Sequence, residues 1–274
     1  MSMIFPRTPF VNVRTSELLA EAFWGLHAAL REGRYREYWL MGGRGSAKSS
    51  FASLEILLGL IRDSDANAIV YRKVAATLRE SVYEQVLWAA EMLGVGAFFR
   101  GKPASMEIEY LPTGQRILFR GGNDPGKSRS IKLSQGYFKY LWFEELSEFS
   151  GMEDIRSIKA SVLRGGNEAS TFYTFNPPRS TQSWVNLESI APRKDRIVHK
   201  SVYTDLPKAW LGEDFLAEAQ HLQHTNERAY RHMYLGEAIG TGGQVFDNLN
   251  LSPISQSTID GIDRFEHGTD CISS

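Results

Sequence analysis

The chain has 274 residues, 42% of them hydrophobic and 23% charged, a composition typical of a soluble globular protein with one large or two small domains. Its formal net charge of −1 excludes a protein that overall charge alone would hold on DNA or a membrane. The single cysteine, Cys271, excludes an internal disulfide, and no apolar run reaches the about 18 residues of a membrane span. The N-terminus lacks the apolar core of a signal peptide, so we expect the protein in the cytoplasm.

The first part of the chain predicts a helix, a short strand and a second helix. Apolar residues recur at helical spacing over residues 16–34, and residues 38–41 form an apolar strand. A glycine-rich turn then leads into a helix that continues from Phe51. Residues 34–36 precede the strand, where we expect either contacts to an adenine base or a solvated helix end.

The turn after this strand has the spacing of a phosphate-binding loop, G-x-x-x-x-[G/A]-K-S, with Ala47 in place of the usual second glycine. Glycines free the backbone so that successive N–H groups can surround a phosphate chain at the start of a helix. We expect Lys48 to reach the β- and γ-phosphates of a nucleotide and the Ser49 hydroxyl to bind Mg²⁺. A glycine-rich turn that binds nothing is the alternative. The predicted nucleotide contacts are Gly42, Gly43, Gly45, Ser46, Ala47, Lys48, Ser49 and Ser50.

The next segments predict a second strand over residues 68–72, a helix over 77–93, and a hairpin with strands at 106–110 and 115–120. Arg72 ends the second strand, where α/β sheets place their sites. It has either a functional role or a surface ion pair.

A basic loop follows over residues 121–132, with Lys127, Arg129 and Lys132 close together. It is either solvated or in contact with DNA or with a neighbouring subunit's nucleotide.

The second strong signal is an apolar strand over residues 137–143 that ends in two acids, Glu144 and Glu145. Two carboxylates at the end of a buried strand are costly unless they have a use. With a phosphate-binding loop upstream, Glu144 would hold Mg²⁺ through water and Glu145 would deprotonate the attacking water. The alternative is a pair of solvated charges at a strand end.

The remaining part predicts a helix over residues 152–163, a buried strand over 170–175 and a last strand over 195–203. Asn176 follows the buried strand and would contact the γ-phosphate or the attacking water, unless it only favours the turn before Pro177. Two further helices, at about residues 212–222 and 226–234, look like a small lid. Four glycines within residues 236–243 suggest a hinge.

Together these motifs predict a P-loop NTPase of the additional-strand catalytic-glutamate class, an α/β fold with a mostly parallel sheet between helices. The loop at 42–49, the doublet at 144–145 and Asn176 should face one cavity across neighbouring strands. Mg-ATP is the expected ligand, and no guanine signature is present.

The order and spacing of five segments resemble the large terminase subunit of tailed bacteriophages, in the branch of Gram-positive phages and prophages. The matching segments are residues 42–49, 70–73 with 78–81, 142–145, 174–178 and 234–237. The resemblance implies an ATP-hydrolysing motor that drives double-stranded DNA into a capsid without sequence preference. It further implies partners: the small terminase subunit, the portal of the procapsid and other copies in a ring, with a monomer when isolated.

The same resemblance implies roles for individual residues. Arg44 would act in cis on the γ-phosphate, and residues 174–176 would couple hydrolysis to movement. An arginine from the neighbouring subunit would be Arg129 or, second, Arg164. Asp270 resembles the first acid of the family's nuclease domain, but two-metal cleavage needs several carboxylates, so we expect no nuclease activity from this chain.

The expected division is an ATPase core over residues 1–195, a lid or linker over 196–240, and a linker with the start of a nuclease domain over 241–274. Two other functions stay open on sequence grounds. One is a helicase-like DNA-dependent ATPase unrelated to packaging. The other is a catalytically weak assembly module.

Overall fold

An eight-stranded sheet forms the centre of the computed structural model, which describes residues 14–123, 131–166 and 168–240. The strand order is β3-β4-β5-β2-β6-β7-β1-β8. Pairing is parallel from β5 to β8 and antiparallel across β3, β4 and β5. The strands are β1 Glu37–Gly42, β2 Ala66–Arg72, β3 Phe99–Lys102, β4 Glu107–Tyr110, β5 Gln115–Gly121, β6 Tyr137–Glu144, β7 Ser170–Phe175 and β8 Arg196–Ser201.

Helices cover both faces of the sheet. Those described are α1 Thr15–Leu18, α2 Trp24–Arg31, α3 Lys48–Arg62, α4 Glu84–Met92, α5 Met152–Val162, α6 Trp184–Ile190, α7 Glu213–Thr225 and α8 Glu227–Met233. A π-helical segment, Arg79–Tyr83, leads directly into α4. Within the described residues, no helix is long and apolar enough to cross a membrane.

Alternation along the central strands divides the core into two layers. Leu40 of β1 and Trp142 of β6 pack with α2, α3 and α4 on one face, while Trp39 and Phe143 pack with α5 and α6 on the other. Successive side chains of a strand point to opposite faces, so a strand that is apolar throughout has to be covered on both sides. The predicted fold class is therefore confirmed.

A third, smaller cluster joins α7 and α8 to the segment after β8. Tyr203, Ala219, Tyr230 and Tyr234 are buried together, and the Tyr203 and Tyr230 hydroxyls lie 3.0 Å apart. This cluster holds together the two helices predicted to form a lid, and their role as a lid stays a prediction.

The prediction of one continuous helix over residues 16–34 is wrong, because the helix is broken. The chain forms α1, a 3-10 turn at Glu21–Phe23 and then α2, with Ala20 in an extended conformation. Leu19 and Phe23 are buried in the core, and the Trp24 Nε1 donates to the Leu19 carbonyl oxygen at 3.0 Å. Core packing and this hydrogen bond favour a break that helical periodicity does not indicate.

Two further corrections concern the sheet. The boundary at residue 195 falls too early, because β8 pairs with β1 along its whole length and belongs to the core sheet. The rest of the predicted domain division stays a prediction. The phosphate-binding loop and the acidic doublet at residues 144–145 were expected at the ends of neighbouring strands. They follow β1 and β6, and β7 lies between these two strands. Strand β3 and helix α6 were not predicted.

Candidate active site

The glycine-rich loop lies at the carboxyl end of β1 and leads straight into α3. Gly45 and Ala47 both have positive φ, 67° and 57°. An alanine in this left-handed region costs about 1 kcal/mol of free energy relative to glycine. Ala47 thus occupies the position where the sequence departs from the usual glycine.

The first two residues of the loop must be glycine because their neighbours are packed closely, not because their φ is positive. A Cβ atom on Gly42 would lie 1.9 Å from the Ser201 carbonyl oxygen, and one on Gly43 would lie 1.9 Å from that of Tyr234. The Arg44 backbone N–H also donates to the Met233 carbonyl oxygen at 2.8 Å. The loop is therefore held between the end of β8 and the end of α8.

Lys48 is buried with its ammonium group inside the loop. Its Nζ donates to the carbonyl oxygens of Gly42 at 3.1 Å and Gly43 at 2.8 Å, and to the Ser46 Oγ at 2.9 Å. Burial lowers the pKa of Lys48 to about 8, although the carboxylates of Glu144 and Glu145 oppose this shift. A phosphate anion would be a stronger partner for this ammonium than neutral carbonyl groups.

Glu144 meets the start of α3 across the sheet. The Ser49 Oγ donates to the Glu144 Oε1 at 2.8 Å, and the Thr174 Oγ1 donates to the Oε2. Trp142 holds Thr174 in turn, because its Nε1 donates to the Oγ1 at 2.7 Å. Burial raises the pKa of Glu144 and the two hydroxyl groups oppose the rise. A hydroxyl and a carboxylate oxygen side by side are the hard ligands that Mg²⁺ prefers.

Glu145 has an unusual backbone for a residue with a long side chain. Its φ of 52° and ψ of 54° lie in the left-handed region, directly before a 3-10 turn at Leu146–Glu148. Such a conformation costs about 1–3 kcal/mol and persists where the surroundings fix it, commonly at active sites. Glu144 is the last residue of β6 and Glu145 already has this left-handed conformation, so the adjacent side chains leave the backbone in different directions.

One polar cavity of about 320 Å³ brings these residues together. It is lined by Gly43, Arg44, Gly45, Ser46, Ala47, Lys48, Ser49, Ser50, Gln85, Glu144, Glu145, Thr174, Phe175 and Asn176. The three predicted strand ends therefore meet at one cavity, although β7 intervenes between β1 and β6. Their individual roles stay predictions. Among the described residues, no cluster of three or more His, Cys, Asp or Glu could hold a metal by itself.

Gln85 lines this cavity, and sequence reasoning missed it. Its position offered one signal: three residues after Val82 and four before Ala89, it interrupts the apolar stripe of a helix.

The other predicted residues divide into three groups. Arg44 is exposed at the cavity rim, and Arg164 is exposed beyond α5, at the amino-terminal edge of the sheet. Arg129 and Asp270 lie outside the described residues, as does most of the basic loop. Arg72 forms an ion pair with Glu148 at 3.3 Å and does not line the cavity, which favours its structural interpretation.

The structure favours a solvated helix end, rather than adenine contacts, for residues 34–36. These residues precede β1, whereas the phosphate-binding loop follows it, and a strand of this length separates them by about 20 Å. An apolar cavity of about 410 Å³ lies next to the loop instead and shares Gly45, Ala47 and Ser50 with its lining. Trp88, Trp210 and Phe23 supply aromatic walls.

These features define a class of protein. A phosphate-binding loop after β1, an acidic doublet after β6 and an additional strand between them are the marks of a P-loop NTPase of the additional-strand class. Solved structures agree on the fold: the large terminase of a thermophilic bacteriophage matches with a TM-score of 0.64 at 13% identity, covering 80% of this chain and 53% of that one. The complex of that protein with ADP matches with a TM-score of 0.62 at 13% identity, covering 81% and 54%.

The particular family follows from sequence. Residues 36–237 match the model of the phage terminase large subunit family, and the chain belongs to that family. The large terminase subunit of Bacillus phage SPP1 is 36% identical over 268 residues, which is 94% of this chain and 63% of that protein. The chain thus spans less than two thirds of that relative. The predicted family, including its Gram-positive phage branch, is confirmed.

Proposed function

We propose that this chain is the ATP-hydrolysing part of a viral DNA-packaging motor. The contact between the Ser49 Oγ and the Glu144 Oε1, beside the buried Lys48, carries the proposal. It joins the phosphate-binding loop to the acidic doublet within the span of one magnesium-bound triphosphate. The complexes of the thermophilic phage's large terminase with ADP and with ATP-γ-S support nucleotide as the ligand.

The phosphates would lie against the backbone N–H groups of the loop and the start of α3. Lys48 would exchange its contacts to loop carbonyls for the β- and γ-phosphate oxygens. Ser49 would bind Mg²⁺ directly and Glu144 through water. When bound, Mg²⁺ would neutralise charge on the β- and γ-phosphates.

Hydrolysis needs one base for water, and Glu145 is the free carboxylate at the cavity. Ser49 and Thr174 engage Glu144, which leaves Glu145 to accept the proton while the water oxygen bonds to the γ-phosphorus and ADP departs. Arg44 at the rim would stabilise the charge of the transferring group.

We place the nucleotide base in the neighbouring apolar cavity, which begins where the loop ends. Trp88 and Trp210, 43% and 45% exposed, would be covered by the base. Stacking on an aromatic side chain is worth about 1–3 kcal/mol per base, so Trp210→Ala should weaken nucleotide binding about tenfold. Leu187→Ala is the matched control, since Leu187 is equally exposed but lines neither cavity.

Contacts between the phosphate-binding loop and the predicted lid would allow the release of phosphate to move the lid helices. The loop touches α8 through Arg44 and Tyr234, and a Cβ on Gly236 would lie 2.5 Å from the Gly42 carbonyl carbon. A loop that shifts on phosphate release cannot leave these neighbours in place. DNA, contacted mainly through its phosphates, and the portal of a capsid are the partners that would receive this movement. The small subunit and further copies of this chain would complete the assembly.

The test is Mg-dependent ATP hydrolysis by the parent chain, Lys48→Ala and Glu145→Gln. We expect Lys48→Ala to lose nucleotide affinity, and Glu145→Gln to bind ATP but hydrolyse it at least about 100-fold more slowly. Hydrolysis by both variants at the parent rate would overturn the proposal. Stimulation by duplex DNA that falls with salt would support the motor, and unwinding of a fork without capsid components would favour a helicase.

A further inference from the structure

We propose that Gln85 is a catalytic residue that contacts the γ-phosphate and the attacking water, an inference that rests on the proposed ATP hydrolysis. Gln85 lies on α4, yet it lines the same cavity as Glu144, Glu145 and Asn176. It is the member of the lining that comes from this helix, which packs against α3.

The backbone before Gln85 explains how a helix that packs in the core brings an amide to the cavity. Residues Arg79–Tyr83 are π-helical, and the Tyr83 N–H donates to the Leu78 carbonyl oxygen at 3.1 Å, five residues back. Each π turn holds more residues than an α turn and so rotates the residues that follow it. Such segments are uncommon and occur frequently at functional sites.

Within the part of the chain that the structure describes, the side chain of Gln85 makes one long hydrogen bond. Its Nε2 donates to the Ser53 Oγ at 3.4 Å, a long hydrogen bond. A partly buried amide with two donors and an acceptor normally makes closer contacts than this. Its polar groups are therefore available to a ligand in the cavity.

The chemistry of hydrolysis gives this amide two partners. The Gln85 Oε1 would accept a hydrogen bond from the attacking water while Glu145 takes the other proton. The Nε2 would donate to a γ-phosphate oxygen. The water oxygen forms the new bond to phosphorus, the bond to the β-phosphate oxygen breaks, and Gln85 itself neither gains nor loses a proton. A neutral amide suits this place because a third carboxylate would repel the phosphate.

The π segment is also fixed to the loop that carries Glu145. The Arg72 Nη1 donates to the Ser81 Oγ at 3.2 Å, and its Nη2 donates to the Glu148 Oε1 at 3.3 Å. Arg72 thus links the π segment that precedes Gln85 to the 3-10 turn that follows Glu145.

The experiment measures binding of ADP and of ADP with aluminium fluoride, which mimics the transferring phosphate, in the presence of Mg²⁺. For Gln85→Leu, which keeps the side-chain volume without the amide, we expect unchanged ADP affinity and about tenfold weaker binding of the aluminium fluoride complex. ATP turnover should fall at least tenfold at unchanged melting temperature. Glu84→Ala, an exposed neighbour on the same helix, is the control and should behave like the parent.

The outcomes separate two failures. If Glu145→Gln abolishes turnover while Gln85→Leu binds both ligands and turns over like the parent, the Gln85 proposal is overturned and the proposed function stands. If the parent binds no nucleotide, both proposals fall. Gln85→Glu adds a second test: it keeps the shape and changes the charge, and normal turnover in that variant would contradict a contact with the γ-phosphate.

Discussion

Strand β1 joins two sites of opposite character, one at each of its ends. At its start, the carboxylate of Glu37 is buried among Lys159 at 2.9 Å, Arg196 at 3.1 Å and Arg193 at 3.2 Å. Beyond its far end, Glu144 of β6 accepts hydrogen bonds from two hydroxyl groups, and no cation forms an ion pair with it among the described residues. At the first site, side chains of the same chain neutralise the carboxylate. At the second site, the negative charge of the carboxylate is available to a cationic ligand.

The pKa directions express the same difference. Burial alone would raise the pKa of Glu37, but Lys159, Arg193 and Arg196 hold it below its ordinary value of 4.5. Burial raises the pKa of Glu144, and its hydrogen bonds do not fully compensate. The carboxylate of Glu37 therefore stabilises the fold at neutral pH. That of Glu144 destabilises it, and bound magnesium would offset this destabilisation.

The largest expected effect is on stability, at the first site. Glu37→Gln leaves the buried Arg196, the partly buried Lys159 and the exposed Arg193 without their carboxylate, and we expect a loss of about 3–5 kcal/mol in the free energy of unfolding. Denaturant titration measures this, with Glu168→Gln as control because that exposed residue is 3.9 Å from Arg36 and should matter by under about 1 kcal/mol.

The sign with pH follows from the lowered pKa of Glu37. Its contribution is complete above the ordinary value of 4.5 and is lost as pH falls through the lower, folded value. The parent and Glu37→Gln should thus converge in stability in acid. If the difference in stability between the parent and Glu37→Gln stayed constant as the pH fell below 4.5, the lowered pKa of Glu37 would be contradicted.

The second effect is on turnover. Glu144→Gln should slow Mg-dependent hydrolysis about 10–100-fold, the usual cost of losing a group that holds a metal through water. Without nucleotide it should be as stable as the parent or more stable, because a raised pKa means that the charged form is unfavourable above the ordinary value. Destabilisation similar to that of Glu37→Gln would erase the contrast between the two sites.

A third variant tests the packing of the loop against the lid. Gly43→Ala places a methyl group where the Tyr234 carbonyl oxygen lies, and we expect a loss of about 1–3 kcal/mol together with weaker nucleotide binding. Gly25→Ala in α2 meets nothing within 4 Å and should be neutral or slightly stabilising. If Gly43→Ala and Gly25→Ala had the same stability and nucleotide affinity, the close approach of Gly43 to the Tyr234 carbonyl oxygen would be contradicted.

The smallest effect is a pH dependence of binding. Phosphate favours charged Lys48, whose pKa is about 8 in the free protein, so nucleotide affinity should fall up to about tenfold between pH 7 and 9. Calorimetry would record the accompanying proton uptake. Lys48→Arg, which stays charged, should lack this dependence, and a flat profile in the parent would place the ammonium elsewhere.

Local patterns predicted the ends of the key strands but not their arrangement. The apolar runs that end at the glycine-rich loop, at Glu144 and before Asn176 are visible in the sequence because buried strands exclude such residues. The insertion of β7 between β1 and β6 depends on long-range pairing, which no local pattern carries. Gln85 was missed because helical periodicity does not indicate the π segment that precedes α4 and rotates it. The break at Ala20 was missed because core packing outweighs periodicity.

ATP hydrolysis as proposed requires that Ser49 and Glu144 serve one magnesium-bound nucleotide. A double-mutant cycle with Ser49→Ala and Glu144→Gln, measured on ATP-γ-S binding with and without Mg²⁺, tests this directly. We predict a coupling free energy of about 1 kcal/mol or more that appears only when Mg²⁺ is present. Additive effects of the two substitutions in both conditions would contradict the shared site.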